Sequence, residues 1–388
     1  MKYSELLELY KTGKLPEEQA KKVEADIERH VAIGDYLFDD EKIPELADMF
    51  EEAEESKKVA KIVRDTVREV CIKLGVVVTA IILAIVLFIV FALPKVVDCF
   101  YYNPAKELGN FTEALSLDMA VCSELHMPTR YCDSVYVESK EGYGKYSFVM
   151  NPFAIGYRGS VGGVINKNEI TLYDPDYFDS PTVNSFNFYG LGIDCYWYLT
   201  EEDYFTKEEL IESYKERLAD GEEYIVYVTL GEVMNYQEFV NTTQMLSVSP
   251  YWVGICAKNN DKDYGSKPYI SNHTTGFIYN TSCRGLDFDK KKYPYLTQFS
   301  MGETMDIHSN DPVPEDMMTT HVISMLKYMA DQKQFRKVMG GEKDEYLELA
   351  ANVEEHGLNI YGYVDVVDKE TVLRLLESDS ILYVTVEQ

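Results

Sequence analysis

The run Leu74–Leu93, LGVVVTAIILAIVLFIVFAL, decides the organisation of this chain. It holds twenty residues, no charge and one hydroxyl, Thr79. At the α-helical rise it covers about 30 Å, the hydrocarbon thickness of a bilayer. Core helices of soluble proteins seldom stay apolar on every face for so long, so the run predicts a transmembrane helix at 74–93. With 73 residues before it, it does not read as a cleavable signal peptide.

Positive charge sets the expected direction. Lys57, Lys58, Lys61, Arg64, Arg68 and Lys73 precede the run, and only Lys95 and Lys106 follow it closely. The positive-inside rule then puts 1–73 in the cytoplasm and the C-terminal part outside. Residues 1–56 carry 7 basic and 17 acidic side chains, net −10. Residues 57–73 are net +4, a stretch suited to anionic headgroups, and the part beyond is net −23. A total of −29 over 388 residues argues against direct nucleic-acid binding, which needs a basic face to displace counterions. An acidic inner domain suits a basic protein partner, or is simply a solvated acidic surface.

Working inwards, residues 3–12 read as a short helix with Leu6, Leu7 and Tyr10 apolar, ended by Gly13. Pro16 opens a second helix, with Glu17 and Glu18 at its positive end. Ala20, Val23, Ile27 and Val31 give it one apolar face. A third helix runs from about Pro44 towards the membrane, with Leu46 and Phe50 in its stripe. Three such helices in about 60 residues leave apolar surface for a partner. Leu6, Leu7, Tyr10, Leu46 and Phe50 are the expected partner-binding residues.

The segment LLELYKTGKLPEEQAKKVEADIE (6–28) resembles the opening of zinc-finger-type anti-sigma domains. Where that family places its metal ligands, this chain has Asp26, His30 and Ile33. The resemblance therefore implies the helical fold and a sigma-factor partner, but no zinc and no other cofactor.

Beyond the span, 94–205 reads as a juxtamembrane segment and a tyrosine-rich β region. SVYVES (134–139), YSFVM (146–150) and SFNFYGLGIDCYWYL (185–199) have the short aromatic runs of strands. Thr206 with Glu209 makes a capping box opening a helix. Then EYIVYVTL (223–230), a helix at 234–246 and YWVGICA (251–257) form one strand–helix–strand unit. After helices at 321–335 and 345–355, NIYGYVDVV (359–367), a helix at 369–376 and SILYVTV (380–386) form another. The expected fold is thus a small all-α cytoplasmic domain, one transmembrane helix, and an α+β extracytoplasmic domain with two β-α-β units on a mixed or antiparallel sheet. Its expected domains are 1–73, 74–93, 94–205 and 206–388.

The element order across 207–388, with Trp252 and the strand holding Gly362, resembles the C-terminal domain of the sigma-factor-regulator family. Those are bacterial membrane-anchored anti-sigma proteins. The resemblance implies a single-pass membrane anti-sigma factor that sequesters a sigma factor inside and senses the envelope outside, where a membrane or protein partner can dock.

Enzymatic signatures are missing. His30, His126, His273, His308, His321 and His356 lack zinc spacing, and neither a G-x-S-x-G nor a P-loop occurs. No catalytic or metal residue is assigned. Cys99, Cys122, Cys132, Cys195, Cys256 and Cys283 fall outside, where disulfides are permitted, and Cys122 with Cys132 is the expected pair. The alternative reading is a membrane-anchored outer binding module or cell-wall enzyme with a short cytoplasmic anchor. A mere anchor does not need three patterned helices.

Overall fold

The computed structural model describes residues 3–38, 53–154, 159–174, 186–188, 191, 193, 205–258, 268–269, 274–279, 285–303 and 312–387. The chain divides into two compact units, Met1–Leu87 and Phe88–Gln388.

In the first unit, α1 (Tyr3–Lys11) and α2 (Glu17–Phe38) pack on each other. Gly13 sits at φ 65°, its N–H donates to the Tyr10 carbonyl and the Lys14 N–H to the Leu9 carbonyl. That is the paired bonding of a Schellman stop, which glycine adopts without a Cβ penalty. The Pro16 carbonyl accepts the first bonds of α2, from Gln19 and Ala20. Leu46 and Phe50 lie outside the described residues. α3 (Ala53–Leu87) follows and runs into a π-helical turn (Phe88–Ala92) and α4 (Leu93–Asp98). Lys58–Asp98 is one helical path of 41 residues, long and apolar enough to cross a membrane.

In the second unit, α5 (Ala114–His126) is buried along nearly its whole length. Beside it stands a four-stranded antiparallel meander, β1 (Val135–Gly142), β2 (Lys145–Met150), β3 (Val161–Asn166) and β4 (Glu169–Leu172). β1 and β2 are joined by Tyr143 and Gly144, both at positive φ, as a two-residue primed hairpin turn requires.

The larger sheet begins after α6 (Lys207–Arg217). Thr206 and Glu209 cap that helix reciprocally, as their spacing predicts. In chain order come β5 (Glu223–Asn235), α7 (Tyr236–Met245), β6 (Trp252–Ile255) and β7 (Gly276–Ile278). After a short helical turn at Gln298–Gly302 come three longer helices among the described residues, α8 (Glu315–Asp331), α9 (Lys333–Met339) and α10 (Lys343–His356). β8 (Asn359–Asp368), α11 (Lys369–Glu377) and β9 (Ile381–Val386) close the chain.

The strand order is β7-β6-β8-β5-β9, and every neighbouring pair is antiparallel. β5 and β6 therefore run parallel with β8 between them, and β8 and β9 run parallel with β5 between them. Each pair is joined through a helix, so the two connections interlock, the split arrangement of ferredoxin-like sheets. The helix of each connection covers one face. Tyr363 on β8 meets the Phe239 ring of α7 at 5.9 Å and feels the charge of Arg374 on α11. Successive strand residues alternate faces, so Trp252 points the other way, where its indole N–H donates to the Glu124 carbonyl of α5 across 2.8 Å. A Cβ on Gly276 would collide with that indole and with the Val253 carbonyl, which is why glycine stands there.

One apolar core runs from Tyr102 to Val384. The juxtamembrane residues supply α5 to its interior, so they are not packed as a body of their own.

Candidate functional site

The second unit holds two features that can carry a function. The first is a clamp on the helix end. The tip of the β1–β2 hairpin reaches the π-helical turn, where the Tyr143 hydroxyl donates to the Ile89 carbonyl at 2.7 Å. The Gly144 N–H donates to the Asp98 carboxylate at 2.8 Å. Tyr146, buried on β2, also bonds to Asp98, and burial with that carboxylate pushes its phenol up to about 12. Lys167, on the β3–β4 turn, stacks its ammonium over Tyr101, 5.6 Å from the ring centre.

The second feature is a polar chain through the core along α5. Asp118, 1% exposed, accepts from Tyr102 at 2.5 Å and from Tyr328 at 2.7 Å. Burial lifts its carboxyl to about 6, although both tyrosine hydrogen bonds act to lower it. Two turns later Glu124, also buried, accepts from His321 Nε2 at 2.9 Å, from the Gln298 amide at 3.2 Å and from the Ile278 N–H at 3.3 Å. His321 is fully buried and its Nδ1 lies 2.6 Å from the Tyr295 carbonyl. Both ring nitrogens thus face oxygen atoms of the buried network. At the end of α5, His126 Nε2 meets the Tyr346 hydroxyl at 2.9 Å. Thus α5 grips α8, α10 and the sheet.

Tyr102, Asp118, Tyr328 and Phe335 also line a cavity of about 560 Å³ beside the chain as it leaves α4. That volume falls within the range of small-ligand pockets.

Of the residues expected to bind a partner, Leu7 and Tyr10 are half-buried on α1. Leu6 lies on the same helix. On α2 only Val23 of the stripe is buried, whereas Ile27, Val31 and Ile33 are exposed. Ile27 is thus a surface residue and not the core contact its spacing suggests. His30 is exposed, and among the described residues no cluster of three or more metal-ligating side chains occurs.

Cys122 and Cys132, the expected bridge, stand in the structure as buried free thiols. Their segments do touch, since the Cys132 N–H donates to Ser123 Oγ at 2.9 Å. Burial pushes the Cys122 thiol up to about 12 and raises that of Cys132 further, which holds both in the unreactive protonated form. Spacing alone had no access to that burial. The Asp118 and Glu124 networks were likewise missed. Two acids six residues apart on an otherwise apolar segment were the available signal.

Residues 216–388 match the family described as Sigma factor regulator C-terminal. No curated protein and no solved structure matches the chain. The match supports a sigma-factor regulator, a regulatory rather than enzymatic class, for the part of the chain that holds the split sheet. The matched part follows one helix long and apolar enough to cross a membrane.

Proposed function

We propose that this chain is a single-pass membrane anti-sigma factor. The observation that carries the reading is the match of residues 216–388 to the sigma-factor-regulator family, placed after a membrane-length helix and an N-terminal helical unit. In this reading residues 1–73 are cytoplasmic and hold a sigma factor against Leu6, Leu7, Tyr10, Leu46 and Phe50. Val31, exposed on α2 with Ile27, adds apolar surface to the same helical unit. Residues 94–388 are extracytoplasmic and sense the envelope. The clamp at Tyr143 and Asp98 supports a mechanical role, because a change in the outer body reaches the helix end through short hydrogen bonds instead of a slack linker.

Purification of the full chain from membranes, followed by identification of bound proteins, tests the reading. A sigma factor is the expected partner, and Tyr10→Asp with Val31→Asp should abolish its capture. Recovery of the intact chain without any sigma factor overturns it.

A further inference from the structure

We propose that the cavity walled by the segment after α4, by α5 and by α8–α9 binds a neutral saccharide. The proposal rests on residues 101–335 of the second unit, and its test is independent of sigma-factor capture.

The walls are aromatic. Tyr101, Tyr102, Phe288, Tyr293, Tyr328 and Phe335 all line the space. Their rings are held in place. Asp118 receives the hydroxyls of Tyr102 and Tyr328, one on each oxygen, and Tyr102 also packs on Phe335 at 5.4 Å. Tyr293 meets Tyr328 edge-on at 5.2 Å and donates its hydroxyl to Asp331 at 2.7 Å. The buried Tyr102, Tyr293, Tyr328 and Phe335 form a rigid backing, and the half-buried Tyr101 and Phe288 offer stacking surface to the C–H faces of a sugar ring at little entropic cost.

The charges argue for a ligand without a net charge. Asp118 is fully occupied by its tyrosines. Asp331 is paired with Lys292 at 2.8 Å, and Asp289 accepts the N–H groups of Lys291 and Lys292. Lys106 and Lys333 stand in the same lining. A cation entering the cavity meets the two lysines, and an anion meets Asp289 and Asp331. Hydroxyl groups, which both donate and accept, suit such a mixed wall, as do the amides of Asn103 and Gln332.

Gln334 stands in the same lining, anchored by its amide N–H on the Phe100 carbonyl at 3.1 Å.

The test is calorimetric titration of the full chain in lipid nanodiscs with maltose, cellobiose and N,N′-diacetylchitobiose, and with spermidine and glutamate as charged probes. Saturable binding of at least one disaccharide is expected. Gln334→Leu and Tyr101→Ala should each weaken it about tenfold, the scale of one lost contact. The parent chain should also show slowed amide exchange around Tyr102 and Phe335 when the disaccharide is present, a readout that does not depend on how well the variants fold. The proposal is overturned if no disaccharide binds, if either charged probe binds more tightly, or if protection appears elsewhere in the chain.

Discussion

The Tyr143 hydroxyl supplies the hydrogen bond that Pro94 withholds from Ile89. In the π-helical register of Phe88–Ala92, the donor to the Ile89 carbonyl would be the N–H of residue 94. That residue is proline and has none. In the proposed membrane placement, a carbonyl left bare there costs several kcal/mol. Tyr143 closes it at 2.7 Å from the tip of a hairpin that is 54 residues away in sequence. The helix end and the C-terminal body thereby share one bond that neither makes alone.

Tyr143→Phe should loosen this junction without disturbing either side. One hydrogen bond of this kind contributes about 1 kcal/mol net, so the backbone amides of α4 should exchange about fivefold faster. Hydrogen exchange on the full chain in nanodiscs measures it. Unchanged protection of α4 would show that the hydroxyl does not secure the helix end.

Removing Glu124 strands three donors at once, on His321, Gln298 and Ile278. Leaving buried donors without an acceptor costs about 1–3 kcal/mol each. Glu124→Ala should lower the thermal midpoint on the order of 5–10 °C. A shift no larger than that of an exposed substitution such as Glu208→Ala would contradict the burial argument.

The pH response of stability should carry the mark of Asp118. Its carboxyl is raised to about 6 in the fold from an ordinary value near 3.8. The folded state thus binds this proton more tightly than the unfolded state. The resulting stabilisation is full below pH 4 and is lost as pH rises through 6. The loss is roughly 2–3 kcal/mol. Asp118→Asn should flatten this slope, so parent and variant diverge as pH rises from 4 to 7. Parallel melting curves across that range would remove Asp118 as the cause.

Thiol labelling tests direction and burial together. Cys71 and Cys99 are exposed and flank the apolar run, while Cys122, Cys132 and Cys256 are buried. In intact cells, a membrane-impermeant maleimide should modify a single-cysteine chain retaining Cys99 and leave one retaining Cys71 untouched. Chains retaining only Cys122 or Cys132 should react after denaturation and not before. The reverse pattern at Cys71 and Cys99 would invert the proposed topology.

Local chemistry made much of this protein legible in its sequence. The apolar run at Leu74–Leu93, the Gly13 stop and the Thr206–Glu209 capping box each depend on residues within a few positions of one another. The same holds for the strands from Glu223 and Asn359. Short-range sterics and periodicity specify such features before any long-range contact forms. Tertiary structure decided how they meet. The placing of β8 between β5 and β6, and of β5 between β8 and β9, follows from which edges pair, and no local pattern encodes that. The burial of α5 depends on Glu124 finding His321 across 197 residues, and the Ile89 carbonyl depends on Tyr143. Cys122 and Cys132 have a spacing that permits a bridge, yet their burial as free thiols is set by the core that closes around them. A buried polar group is tolerated only where its partners converge, and convergence is a property of the folded chain.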